Sequence, residues 1–331
     1  MLKDKRVLVT GASGFIASHL TRRLIGMGAS VGALVRYNSV IDNVRIADLW
    51  DRVTPIEADI RNPDSLRQVR NFAPDVIYHF AAYNHVGDSF MHVSEVMDVN
   101  AKGTTNLVQA YDGFERFVYI STSEVYGAQS QVPFVETMTP QPVSPYAVGK
   151  YAGELFCRMM MTEVGRPFVL LRPFNAFGPY QSTRAVIAET ILTCLAGKPL
   201  RATEGRQTRE FNYIANLVDG FIAAGEREQA IGQLINIGGG EEISIRELME
   251  TIHRETESKS PLEFGALPSR PTEIPRMRAD AARAREILGW QPRTPFIEGL
   301  RATIRWYRMF QDEFGAAGSG VMKLADFPLG R

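Results

Sequence analysis

Short apolar runs alternate with longer amphipathic stretches through the first half of the chain. Runs near 5–10, 30–36, 53–58, 75–80, 115–121 and 167–172 are rich in Val, Ile, Leu, Phe and Tyr, which predicts strands. Between them, apolar positions recur at helical spacing near 14–27, 63–71, 90–111 and 145–164. Strands that are apolar on both faces, separated by helices, predict an α/β architecture, a doubly wound parallel sheet covered on each side. After Arg172 the rhythm changes. The stretch PFNAFGP at 173–179 is turn-rich, and helices near 184–196, 214–227, 244–257, 281–288 and 296–311 leave room only for short strands such as 234–237. The predicted organisation is a first domain over 1–172 and a smaller mixed α/β region over 173–315, with room for one strand to return to the sheet. A Gly- and Ala-rich tail, 316–331, is expected to be loosely held.

Composition narrows the partners. The chain has 331 residues, 45% hydrophobic, which is ample for a large core. Lys+Arg and Asp+Glu both number 37, so no global charge favours nucleic acid or an anionic membrane, and an anion must be held by a local site. MLKDKRVLVTG enters a strand pattern without an apolar leader, and no stretch of 18 apolar residues follows, so a cytoplasmic protein is expected. Cys157 and Cys194 have no zinc-binding spacing and sit in apolar helical patterns; core thiols and no metal are expected.

The first strand-to-helix junction, TGASGFIASHL from Thr10 to Leu20, carries Gly11 and Gly14, with Ala17 where a third glycine would complete the fingerprint. Glycines let a backbone approach a diphosphate, and the helix N-terminus favours its charge, so a Rossmann-type dinucleotide site is predicted, with Gly11, Ser13, Gly14, Phe15 and Ile16 at the cofactor. The second strand, SVGALVRYN, ends on Arg36 rather than on a carboxylate, which suits a 2′-phosphate and favours NADP over NAD. Asp59 and Ile60, in EADIRN after the third strand, are placed to meet the adenine, although Asp59 also suits a loop or cap.

Tyr146 and Lys150, four residues apart in SPYAVGKYAGE, share one face of a helix. A phenol ordinarily ionises near pH 10. A neighbouring ammonium and an oxidised nicotinamide would favour the phenolate, making Tyr146 a usable base. The chemistry implied is removal of an alcohol proton while its hydride leaves.

Taken in order, TGASGFIA, DI at 59–60, HFAA at 79–82, Asn100 in DVNAKGT, STSEVYG at 121–127, YAVGK, RPFNAFGP at 172–179, TREFNYI at 208–214 and LGWQP at 288–292 resemble the extended short-chain dehydrogenase/reductases that act on sugar nucleotides. The resemblance runs from about residue 5 to residue 310 and implies these roles. Tyr146 would be the base on the sugar 4-hydroxyl, and Lys150 would lower its pKa and hold the nicotinamide ribose. Thr122 would hydrogen-bond the same hydroxyl. Ala81, Ala82, Tyr83 and Pro173 would line the cofactor, and Asn100 would brace the surrounding loops. Asn84, His85, Asn175, Arg184, Arg209 and Arg276 would contact a nucleotide-diphosphate sugar, the arginines through paired charge-assisted bonds. The helices near 90–111 and 145–164 would form a four-helix homodimer contact, with Val93, Val96, Met97, Leu155, Met159 and Met160 as apolar positions.

All such enzymes begin by oxidising sugar carbon 4, and the next step separates them. Epimerases need only the Thr/Ser, Tyr and Lys groups, whereas a 4,6-dehydratase needs a base for carbon 5 and an acid for the departing 6-hydroxyl. Glu124, two positions after Thr122 and on the same face if the segment is extended, supplies a carboxylate. The Thr122-Ser123-Glu124 triad resembles GDP-mannose-type dehydratases and UDP-glucuronate decarboxylases, with Ser123 where glucose-type dehydratases carry Asp. Resemblance is nearest to bacterial 4,6-dehydratases with YNS at 37–39 and QSTRAVI at 181–187, which implies an N-acetylhexosamine substrate. A 4,6-dehydratase is the leading expectation, a 4-epimerase or decarboxylase the alternative, and a non-catalytic NAD(P)-binding protein the third.

Overall fold

The computed structural model describes residues 1–36, 44–268 and 273–315. The 37–39 string and the tail 316–331 lie outside the described residues. Six strands form where the apolar runs predict them: β1 (Arg6–Thr10), β2 (Ser30–Val35), β3 (Thr54–Glu57), β4 (Val76–His79), β5 (Arg116–Ile120) and β6 (Phe168–Pro173). Alternate side chains leave opposite faces of each strand. Val7 and Val9 join a core layer with Leu20 and Leu24 of helix Phe15–Gly26 and Leu217 and Phe221 of helix Ile214–Glu226. Leu8 faces the other layer, with Leu107, Val108 and Cys157. Burial on both faces is why these strands read as uninterrupted apolar runs, each buried aliphatic side chain contributing about 1.5–3 kcal/mol.

A seventh strand, Leu234–Ile237, crosses back from the second half and pairs in parallel with β6. The sheet order is Leu234–Ile237, β6, β5, β4, β1, β2, β3, all neighbours parallel. The chain runs outward from β1 through β3, then returns to place β4 on β1's other side. This reversal opens a crevice beyond the C-terminal ends of β1 and β4, with Thr10 opposite His79.

Two stretches differ from expectation. The helical run after residue 90 starts at Val93 and passes through a π turn at Asp98–Lys102 before Gly103–Ala110, so Asn100 sits in a bulge. Val44–Arg52 forms a 3₁₀ helix outside the helical stretches expected from the sequence. The second half has only short strands around a separate core of Phe177, Ile187, Ile191, Leu248, Ile252, Leu300 and Ile304. Both cysteines are buried and free, and among the described residues no helix is long and apolar enough to cross a membrane.

Candidate active site

A cleft of about 530 Å³ opens at the β1–β4 switch point, lined by Gly11, Ser13, Gly14, Arg36, Asp59, Ile60, Ala81, Ala82, Tyr83, Asn84 and His85 among others. Gly11 has φ +66°, and a Cβ there would stand 3.0 Å from the Cα and N of Ala81, so the turn admits only glycine at this backbone conformation. Gly14 caps helix Phe15–Gly26, whose first residues are Phe15 and Ile16, without a side-chain cap. Its free N–H groups and the close backbone approach fit a dinucleotide diphosphate. Asp59 has a second duty: its Oδ1 accepts from the Arg61 amide at 2.9 Å, and its carboxylate is gripped by the Arg61 guanidinium at 2.6 and 3.0 Å. That pairing, helped by Arg36, holds the carboxyl below its ordinary range despite partial burial. Pro173 lies at the end of β6, opposite Ile237.

The floor of the cleft is tied down by a directional chain. The Ala81 amide donates to Thr10 Oγ1 (3.0 Å), which donates to His79 Nδ1 (2.8 Å). His79 Nε2–H then donates to Thr104 Oγ1 (3.0 Å), whose proton goes to the Asn100 carbonyl (2.7 Å). Burial, with the nearby Lys150 charge, holds His79 well below its usual pKa, so the ring stays neutral as this chain requires. Asn100 completes the brace by accepting from the Tyr83 amide (2.7 Å) and donating to the Tyr83 carbonyl (3.0 Å).

Tyr146 and Lys150 lie on helix Pro145–Thr162, capped by Ser144, whose side chain accepts from the Ala147 amide. Gly149 and Gly153 let this helix press onto the Asn100 bulge. A Cβ on Gly153 would meet Tyr119 Oη at 2.5 Å and the Asn100 carbonyl at 2.7 Å. Lys150 is buried, its Nζ 4.5 Å from the centre of the Tyr119 ring, and burial pulls it down to about 8 against the opposing influence of Cys157 and Glu154. Burial likewise pushes the Tyr146 phenol up to about 12; the Thr122 hydrogen bond pulls it down and the Glu124 charge pushes it up. Of the two charges expected to favour the phenolate, Lys150 and an oxidised nicotinamide, the Lys150 ammonium stands over the Tyr119 ring, and the groups acting on the phenol here are Thr122 and Glu124.

Thr122, Glu124 and Tyr146 are brought together, though not by an extended segment. Ser123–Tyr126 is a 3₁₀ turn, and Thr122 caps it by accepting from the Glu124 amide at 3.2 Å. Ser123 is committed elsewhere: its hydroxyl donates to Met277 Sδ at 3.3 Å in a buried cluster with Val125, Tyr126, Phe134 and Phe174. Below the turn, a buried network joins Ser121 and Arg172 to Glu154, stacks Arg172 on Tyr126 with 4.6 Å to the ring centre, and hydrogen-bonds Tyr126 to Asn236 on the returning strand.

The expected substrate contacts are less converged. His85 caps the short helix Val86–Ser89 through Nδ1, which accepts from the Asp88 amide at 3.0 Å. Arg184 is exposed and paired with Asp88 at 2.8 and 2.9 Å. Asn175 Nδ2 donates to the Glu210 carbonyl at 3.2 Å. Arg209 is paired with Glu273 and donates to the Ile274 carbonyl at 2.6 Å, while Arg276 is paired with Glu242. The two arginines occupy adjacent strands, Thr208–Arg209 and Arg276–Met277, but the structure does not bring them to a common acceptor.

The model of the GDP-mannose 4,6-dehydratase family matches residues 8–303. The chain belongs to this family. Its members here are extended short-chain dehydrogenase/reductases acting on sugar nucleotides. The UDP-glucose 4-epimerase of Mycolicibacterium smegmatis is 35% identical over 311 residues, 92% of this chain and 98% of the relative. The human dTDP-D-glucose 4,6-dehydratase is 33% identical over 324 residues, 92% and 90% of the two chains. Among solved structures, the UDP-glucuronic acid 4-epimerase of Bacillus cereus, in complex with UDP-glucuronic acid and NAD, superposes with a TM-score of 0.85 at 32% identity, covering 92% of this chain and 99% of that one. A decarboxylase stands among the relatives as well.

For this family member, sequence reading missed Arg45, which also lines the cleft, together with Arg61 and the Glu154–Arg172 pair. Arg61 carried a signal, since an Arg two residues after an Asp can grip it locally. Glu154 lies four residues after Lys150, one helical turn away, but its partner on β6 is visible only in three dimensions.

Proposed function

We propose that this protein is a nucleotide-sugar 4,6-dehydratase, and the observation that carries the reading is the Thr122–Glu124–Tyr146 cluster. A bound nicotinamide would supply the hydride acceptor at sugar carbon 4. Tyr146 takes the proton of the 4-hydroxyl, which Thr122 holds in place. Lys150 contributes a buried donor for the cofactor ribose and a positive charge nearby. The resulting 4-keto sugar has an acidic hydrogen on carbon 5. Glu124 removes it and passes it to the departing 6-hydroxyl, which leaves as water; the hydride taken from carbon 4 would then be given to carbon 6 while a proton from solvent enters at carbon 5, completing a 4-keto-6-deoxy sugar. With the Ser123 hydroxyl on Met277, Glu124 is the group suited to serve as both base and acid.

The test is Glu124→Gln assayed on UDP-, GDP-, CDP- and dTDP-hexoses. Bound cofactor should still be reduced, seen at 340 nm, while the product 18 mass units lighter disappears, as the loss of one water requires. Undiminished dehydration would remove this reading and leave a 4-epimerase or decarboxylase. Arg36 at the cleft supports tighter binding of NADP than of NAD.

We further propose a homodimer. Val93, Leu155 and Met159 are exposed, and Phe90, Met91 and Val148 extend the apolar surface beside them. Val96 and Met160, expected at the same contact, instead pack inward. Leu155→Glu with Met159→Glu should convert a sedimenting dimer to monomer; a wild-type monomer at micromolar concentration would refute it.

A further inference from the structure

The turn after strand Ala176–Phe177 is held in an unusual way. Three successive backbone carbonyls are each taken by a side chain from a different part of the chain. His19 Nε2–H, on the first helix, donates to the Pro179 carbonyl at 2.9 Å. Arg45 Nε, on the 3₁₀ helix after β2, donates to the Tyr180 carbonyl at 2.9 Å. Tyr307 Oη, on helix Phe296–Gly315, donates to the Gln181 carbonyl at 2.7 Å. Tyr180, at the centre, is buried and sits at φ +67°, a conformation that a non-glycine residue holds only under such constraint.

Arg45 is the member that also reaches the cofactor cleft. It lines that cleft with Ser13 and Gly14, and its Nη1 donates to the Ser13 carbonyl at 3.4 Å. Its setting differs from that of its neighbours. Arg22 has Asp48 and Arg61 has Asp59, whereas among the described residues the acceptors of Arg45 are the backbone carbonyls of Tyr180 and Ser13, and the titratable groups acting on it are the phenols of Tyr307 and Tyr180. Burial pulls its pKa down. The backbone at Arg45 is itself fixed, because Arg22 Nη2 donates to its carbonyl at 2.6 Å. A half-buried, pre-oriented guanidinium with no carboxylate partner among the described residues, beside a glycine turn at a helix N-terminus, is built to receive an anion.

We propose that Arg45 is a ligand of the cofactor's diphosphate, and that its Nε bond to Tyr180 makes the substrate-side turn part of the cofactor site. The inference rests on the cleft being a dinucleotide site. It assigns the diphosphate to Arg45 because the side chain touches Ser13 between the two glycines. Arg36, at the end of β2, is left for the 2′-phosphate.

Calorimetric titration of the purified protein with NADH and NADPH tests it. Arg45→Met should weaken both by the same factor, about 10- to 100-fold, as expected for losing a charge-assisted bond. Arg45→Lys, which keeps the charge but loses the fork and the Nε bond, should recover only part. Arg36→Met should weaken NADPH alone. Undiminished NADH binding by Arg45→Met overturns the proposal, and so does a loss confined to NADPH. If the wild type binds neither nucleotide, the dinucleotide reading falls with it. Should Arg45→Met fail to fold, the wild type decides through modification by an arginine-specific dicarbonyl read by mass spectrometry. NADH should shield Arg45 and adenosine, which lacks phosphate, should not; equal reactivity with and without NADH, or shielding by adenosine, overturns the assignment.

Discussion

The two halves of the molecule hold their functional groups by different physics. In the half proposed to hold the cofactor, polar side chains are buried and hydrogen-bonded to one another: the Thr10–His79–Thr104–Asn100 chain and the Ser121–Glu154–Arg172 network leave little freedom. In the half proposed to receive the substrate, Arg184 and Arg276 are exposed and rest on carboxylates that water can replace. A group that must present one atom to a fixed coenzyme benefits from rigidity, whereas groups that receive a large charged substrate must exchange their resting partners. Substitutions in the first half should therefore strike chemistry or stability, and those in the second should strike substrate affinity.

The largest expected effect is that of Tyr146→Phe, which should slow cofactor reduction by a competent nucleotide sugar roughly 10³-fold, with NADH affinity unchanged. Stopped-flow absorbance at 340 nm reads it, and a rate within tenfold of wild type would deny Tyr146 the role of base. Next, Glu154→Gln strands the buried Arg172 and should cost about 3–5 kcal/mol in urea unfolding. Glu154→Leu with Arg172→Met should recover most of that; a single-variant loss below about 1 kcal/mol would erase the contrast between the halves. Gly153→Ala drives a methyl group against Tyr119 and the Asn100 backbone and should cost about 1–3 kcal/mol by the same measurement.

A pH titration sharpens the comparison from the chemical side. Because the folded Tyr146 value, about 12, lies above the unfolded value near 10, its contribution to stability is intact below pH 10 and fades between pH 10 and 12. The phenolate band near 295 nm, wild type minus Tyr146→Phe, should rise only in that window for the free protein and move to lower pH when NAD⁺ is added. A titration below pH 10 without cofactor would contradict the burial described here. The smallest stability effect belongs to Arg276→Gln, which should leave the melting temperature unchanged while raising KM for the sugar nucleotide. A marked thermal loss would mean that its pair with Glu242 is structural.

The sheet was legible in the chain because strands buried on both faces are uninterrupted apolar words; 234–237 also read as a short strand, but which segment returns to the sheet is visible only in three dimensions. The glycine turn was legible too, since Gly11 occupies a backbone conformation that other residues avoid. What failed depended on where atoms point. Helical spacing puts Lys150 about one turn after Tyr146 on one helix but could not show its ammonium standing over the ring of Tyr119, a residue from β5. The β-branched and aromatic residues of STSEVY read as extended, yet the Thr122 hydroxyl captures the Glu124 amide and closes a turn. Ile46, Leu49, Trp50 and Val53 do stand at helical spacing, but the run is only about two turns long and no cofactor motif falls in it, so nothing in the sequence singled out Arg45. The carboxylates that hold Arg209 and Arg276 come from residues 273 and 242, distances along the chain that no local pattern spans.

The returning strand has a consequence for synthesis. Emerging from the ribosome, the first 173 residues contain every other strand of the sheet, but β6 stays an open edge, ready to pair with a wrong partner, until residue 237 is out. Arg172 and Tyr126 likewise wait for Asn236 before their network closes. The support beneath the Thr122–Glu124 turn thus closes only after the second half of the chain has been made, whereas the glycine-turn cleft draws its lining from the first hundred residues.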